Sequence, residues 1–173
     1  MTITRSIIAE GMLPQWFYHG SQFEFERFIR KTYTPSLQLG FGFHFSTDES
    51  FAKLYGPNIY KVRLNVESPL DLRQLVREGD ALFDLVLKFE KKENLFRTDG
   101  VPMTWLYNTV DSVHPKRAEQ ILKDAGYDAV WYTASHGHRT SPYGSKRAAA
   151  AESIIVLDSS QIQVASVTRC EHT

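Results

Sequence analysis

The chain has 173 residues, enough for one well-packed domain and too few for two of ordinary size. Twenty Lys and Arg balance twenty Asp and Glu, so there is no global electrostatic footprint of a nucleic-acid binder, and any such partner must be held by a local patch. A 42% hydrophobic and 13% aromatic composition excludes a disordered chain, and no apolar run reaches membrane-spanning length.

In chain order, the start from Met1 to Glu10 meets an acid where a signal peptide continues apolar, so no export signal is expected. Gln15 to Gly20 reads as a short aromatic strand ending in His19-Gly20, and Ser21 to Arg30 repeats Phe at 23, 25 and 28 among charges. A Thr, Ser and Pro-bearing loop then leads to Gly40-Phe41-Gly42-Phe43-His44-Phe45-Ser46. A strand there sends Phe43 and Phe45 to one face and Gly42 and His44 to the other. Ser46 to Glu49 fits a capping box that predicts a helix from Thr47, and Gly56-Pro57 predicts a left-handed stop about two turns later, with Tyr55 at the helix end.

Tyr60, Val62, Leu64 and Val66 alternate with Lys61, Arg63 and Asn65 in a half-buried strand that Pro69 closes. Residues 71 to 96 carry apolar positions at helical spacing broken at Gly79, and predict two helices. Pro115 to Ala125, followed by Gly126, predicts a third. Tyr127 to Tyr132 is a predicted strand, residues 133 to 151 a polar loop, Ser153 to Leu157 a buried strand opened by Glu152, and Ile162 to Val167 an edge strand. Strands at both ends bracket a helical middle, which is an α+β architecture in a single domain over residues 1–173. The lone Cys170 has no internal partner, which is compatible with a cytoplasmic location. His136-x-His138 has no third ligand at a metal-site spacing, so no metal is expected.

Tyr18-His19-Gly20, Gly40-x-Gly42-Phe43-His44-Phe45-Ser46, the short helix with Ala52 and Tyr55, and Glu152 opening a strand together resemble the ADP-ribosyltransferase fold. Within it they are similar to the histidine-tyrosine-glutamate branch of the poly(ADP-ribose) polymerases, diphtheria-like toxins and many phage and effector transferases. The resemblance spans residues 16 to 164 and implies a split β-sheet core with residues 71–125 as a helical insertion. It also implies NAD as substrate, with release of nicotinamide and transfer of ADP-ribose to a macromolecular acceptor, protein narrowly ahead of nucleic acid.

By the same resemblance, His19, Gly20, Gly42, His44, Phe45, Ser46 and Tyr55 bind NAD, while Glu152, with His19 and His44, forms the catalytic group. Gly20 main chain would hold the carboxamide, His19 the ribose hydroxyls and Tyr55 the nicotinamide ring. Glu152 would stabilise the positive charge that develops as the glycosidic bond breaks. His44 stands where the family carries a tyrosine. Ala150 stands two positions before Glu152, where arginine-modifying toxins carry Glu, which argues against an arginine acceptor. His136, His138, Arg139, Lys146 and Arg147, in the loop before Glu152, are candidates for acceptor recognition. Two other readings stay open: a non-catalytic nucleotide- or protein-binding module of this fold, and an enzyme that only hydrolyses NAD.

Overall fold

The computed structural model describes residues 13–29, 41–71, 75–76, 101–102, 115–135 and 150–170. Nine strands are described: β1 (Phe17–Ser21), β2 (Phe43–Ser46), β3 (Asn58–Leu64), β4 (Pro69–Asp71), β5 (Leu75–Val76), β6 (Val101–Pro102), β7 (Ala129–Ser135), β8 (Ala150–Val156) and β9 (Ile162–Arg169). Two short helices accompany them, α1 (Glu49–Ala52) and α2 (Pro115–Asp124). Seven strands form one mixed sheet in the order β4-β7-β8-β2-β1-β3-β9, in which only β4 and β7 run parallel. No helix among the described residues is long and apolar enough to cross a membrane.

One core cluster lies on one face of this sheet, with Ile59, Val130, Tyr132 and Ile155 buried on the other, and strand alternation explains which residues reach which. Phe17 on β1, Phe45 on β2, Tyr60 and Val62 on β3, Ala129 on β7, and Ile154 and Val156 on β8 form one buried cluster with Phe28. The β2 alternation of Phe43 and Phe45 against Gly42 and His44 is the one read from the sequence. Phe25 and Phe28, from the segment after β1, cover this face: Phe25 stacks on Tyr60 at 4.2 Å and 11°. The Tyr60 hydroxyl then fixes the segment by accepting from Phe25 N at 2.6 Å and donating to Phe25 O at 3.0 Å.

Several expectations are corrected here. The helix starts at Glu49 rather than Thr47, and Asp48 caps it, accepting from Ser50 N and Phe51 N. The chain is still bonded to β8 at Thr47, whose N–H donates to Glu152 O at 2.9 Å, and the helix begins beyond that bond. Gly56 is not left-handed: at φ 159° and ψ 172° its backbone is extended, after a 3₁₀ turn over Lys53–Tyr55. Pro69 does not simply close a strand but opens β4 at the sheet edge, where its missing N–H costs no ladder bond. Leu75 and Val76, expected in a helix, pair instead with Val101 and Pro102 as a two-stranded ladder. A short apolar run fits strand or helix equally by periodicity, and the β-branched Val favours the strand. The rest of the proposed insertion before Pro115 lies outside the described residues.

Helix α2 runs as read, with Gly126 left-handed at φ 85° just past its end. The polar loop between β7 and β8 is shorter than expected, because β7 extends to Ser135 and β8 begins at Ala150. Glu152 is therefore the third residue of its strand, opposite Thr133.

One carboxylate ties three parts of this scaffold. Asp128 accepts from Glu67 N at 2.7 Å and Ser68 N at 2.9 Å, and its main chain bonds Ser68 O and Leu157 N. Asp128→Ala leaves two backbone donors without their charged acceptor, and by the usual worth of such bonds is expected to cost about 2 kcal/mol in urea denaturation.

Candidate active site

Of the residues singled out in the sequence, His19 and Gly20 are on β1, His44, Phe45 and Ser46 on β2, Tyr55 at the end of the turn after α1, and Glu152 on β8. Five residues of β1, Phe17 to Ser21, are in register with β3, and four of β2 with β8, yet the register between β1 and β2 contains only Tyr18↔Ser46. Beyond Tyr18 the two strands diverge, so the β2-facing main chain of His19, Gly20 and Ser21 leaves the ladder. The sheet is split there.

His19 crosses the split. Its Nδ1 lies 2.8 Å from His44 O. A carbonyl only accepts, so Nδ1 carries the proton and the neutral ring keeps Nε2 as an acceptor. The ring is enclosed by Phe28 at 5.2 Å, Phe45 at 5.7 Å, Phe25 at 6.0 Å and Tyr60 at 6.1 Å between centroids. Burial among these rings lowers its pKa below the usual histidine value, and the bond to His44 offsets this only in part. His19 is thus a neutral imidazole at physiological pH, suited to accept from a hydroxyl.

His44 belongs to the opposite face of the sheet. Its Nε2 lies 3.1 Å from Phe41 O, and its Nδ1 lies 3.2 Å from the Tyr132 hydroxyl. With Nε2–H donated to the carbonyl, Nδ1 accepts from Tyr132. The structure brings the backbone of His44 to His19 but not its ring. Tyr132 was not singled out in the sequence, since an apolar strand containing one Tyr gives no sign of a partner 88 residues away.

Gly20 faces α1. A Cβ on Gly20 would overlap the Ala52 carbonyl and come within 3.3 Å of Tyr55 Cβ. Close helix–strand packing requires the glycine, and the same packing sets Tyr55 beside the open main chain of β1. Tyr55 is 46% exposed, with its ring 6.0 Å from that of Phe51, and its main-chain carbonyl accepts from Gln22 Nε2 at 3.1 Å. Gly20→Ala is expected to displace α1, at about 1–3 kcal/mol for such overpacking. A thermal melt would show the loss, and calorimetric titration with NAD would show weakened binding.

Gly42, at φ 66°, makes the turn into β2, where a Cβ would meet the Ile155 side chain and Val156 main chain. Phe45 is buried in the core beside His19. Ser46, also buried, accepts from Asp48 N at 3.0 Å and points its hydroxyl at Glu152 O, 3.5 Å away.

Glu152 stands on β8 with its side chain exposed, on the same face as Ile154, Val156 and the His19 ring. Its carbonyl accepts from both Thr47 N at 2.9 Å and Thr47 Oγ1 at 3.1 Å. Thr47, which sequence reasoning treated only as a helix start, therefore anchors the backbone of the candidate acid. Two strand spacings and about two residues of offset separate Glu152 from His19, or roughly 12 Å between main chains. His136, His138, Arg139, Lys146 and Arg147 lie outside the described residues, as does Gly40. Among the described residues no group of three or more His, Cys, Asp or Glu is placed to hold a metal ion.

Residues 9–171 match the family described as ADP-ribosyltransferase in polyvalent proteins. The chain belongs to that family. Its fold is accordingly ADP-ribosyltransferase-like, and enzymes of this class use NAD as substrate together with an acceptor. No curated protein matches the transferase. Among solved structures, that of an anti-CRISPR protein is similar over 86% of the transferase and 92% of the other chain, with 13% identity and a TM-score of 0.43, too distant to bear on function.

Proposed function

We propose that this transferase moves a single ADP-ribose from NAD to a macromolecular acceptor and releases nicotinamide. The observation that carries the reading is the split between β1 and β2: it releases the main chain of Gly20 with Tyr55 packed beside it, while the Nε2 acceptor of His19 and, on the neighbouring half-sheet, Glu152 stand on the other face. Gly20 main chain suits a carboxamide, which both donates and accepts. An exposed aromatic face suits the cationic pyridinium. His19 Nε2 suits a ribose hydroxyl.

In the reaction the bond between the pyridinium nitrogen and ribose C1′ breaks, its electron pair passes to the ring, and nicotinamide leaves uncharged. The ribose becomes oxocarbenium-like. An acceptor lone pair then forms the new bond at C1′, and the acceptor's proton passes to the Glu152 carboxylate and from there to solvent. Glu152, a carboxylate held through its backbone by Thr47, supplies fixed negative charge as the cation develops and receives a hydrogen bond from the incoming nucleophile.

His44 supports this site through its carbonyl and its bond to Tyr132, and a ring role in NAD binding is not part of the proposal. We place the activity in the cytoplasm, in keeping with the free thiol of Cys170. One observation favours a second reading, a non-catalytic module: the aromatic enclosure of His19 is what a structural histidine requires. Incubation of the protein with NAD labelled in the adenylate half and a cell lysate separates the readings. Label in macromolecules, sorted by protease or nuclease sensitivity, supports transfer; nicotinamide release without incorporation identifies hydrolysis; neither product identifies a binding module.

A further inference from the structure

The face of β1, β3 and β9 opposite the core cluster carries a row that the candidate active site does not use. Tyr18 on β1 points there, because its neighbours Phe17 and His19 point to the core. Lys61 is in register with Tyr18, and Arg63 lies two residues further along β3 on the same side. Lys61 Nζ and Arg63 Cζ each lie 4.5 Å from the centroid of the Trp16 ring, the residue preceding β1. On the next strand Ser166 pairs with Lys61 and Gln163 with Arg63, both exposed.

Two like charges are thus held around a single indole. Among the described residues neither has a carboxylate within ion-pair distance, and no acid stands in this row, although the whole chain has as many acids as bases. Two residues along a strand place their Cα atoms about 7 Å apart, the scale of neighbouring phosphates in an extended strand, and both cationic groups lie within 4.5 Å of one ring centroid. Hydroxyl and amide side chains on β9 add neutral donors beside them. The complement of this row is a chain of regularly spaced negative charges that also carries flat rings. A single strand of nucleic acid carries one flat ring system for every phosphate, a repeat that an acidic peptide lacks.

We propose that the Trp16, Tyr18, Lys61, Arg63 face binds single-stranded nucleic acid, with the two cations on successive phosphates and the aromatic rings beside the bases. This does not depend on the proposed chemistry, since binding needs neither NAD nor Glu152. The row runs along β1 toward Gly20, so an occupant lies beside the candidate active site.

The test is fluorescence anisotropy of a fluorescein-labelled mixed-sequence single strand of about 15 nucleotides with the full chain, from about 50 to 200 mM salt. The double variant Lys61→Gln, Arg63→Gln is expected to bind at least tenfold more weakly. Its slope of log affinity against log salt should fall by about 1.4, at about 0.7 per phosphate contact. Tyr18→Leu should weaken binding about tenfold with the salt slope unchanged, the mark of lost stacking. Lys123→Gln, on α2, should change nothing. Circular dichroism checks each fold, and if the double variant unfolds, the single variants decide, each lowering the slope by about 0.7. No binding by the wild type at the lowest salt overturns the proposal. So does tighter binding of duplex, equal competition by polyglutamate, or unchanged binding by the folded double variant.

Discussion

Glu152→Gln is expected to lower nicotinamide release by about 10²- to 10³-fold, the usual cost of removing one preorganised electrostatic contact to a developing charge. The substitution keeps the size and shape of the side chain. The bonds that fix this position run from Thr47 N and Oγ1 to the Glu152 carbonyl, and an amide side chain leaves them in place. NAD affinity by calorimetry and the melting temperature should therefore stay near the wild-type values while turnover falls. Such a split separates transition-state stabilisation from ground-state binding. Normal turnover by the folded variant would remove Glu152 from the chemistry.

His19→Phe should change the pH dependence of stability more than any other single substitution among the site residues. Burial lowers the folded-state pKa of His19 below the unfolded value near 6.5, so the unfolded chain binds the proton more readily. Stability from a neutral His19 is complete above about pH 6.5 and falls as the pH drops from there toward the folded-state pKa. The slope approaches about 1.4 kcal/mol per pH unit where the unfolded chain is protonated and the folded one is not. His19→Phe loses the bond to His44 O and is expected to be less stable at pH 8, but it lacks this slope. Subtracting its stability curve from that of the wild type between about pH 5 and 8 cancels the other histidines and leaves the His19 contribution. A flat difference would show that the imidazole titrates freely and is not enclosed by Phe25, Phe28, Phe45 and Tyr60.

Strand alternation was legible where one side of a strand is buried and the other is not. The pattern of β3 and the division of Phe43 and Phe45 from His44 on β2 both follow from the residues alone. Pro115 and Gly126 marked α2 for an equally local reason, since each restricts or frees its own backbone. Local signals failed where a residue was claimed by a distant partner. Ser46 and Glu49 satisfy a capping box on paper, but the chain is still bonded to Glu152 O at Thr47, and the helix begins beyond that bond with Asp48 as its cap.

The ADP-ribosyltransferase fold, though not the branch within it, was readable from His19-Gly20, the Gly42 to Tyr55 segment and Glu152, because these are short stretches whose order along the chain survives without any knowledge of contacts. What they do in three dimensions was not. That His19 and His44 share a hydrogen bond while their rings lie on opposite faces depends on the divergence of β1 from β2 after Tyr18, and no residue of either strand encodes that by itself. That Gly20 is needed for the Ala52 carbonyl depends on where α1 lands. The convergence of Lys61 and Arg63 on Trp16 requires strands 45 residues apart to pair. The sequence determined which faces are apolar and where the chain turns, since those are properties of neighbouring residues. Only the tertiary structure decided which buried polar group meets which, because a hydrogen bond or a ring contact is settled by the register of strands that are remote in sequence.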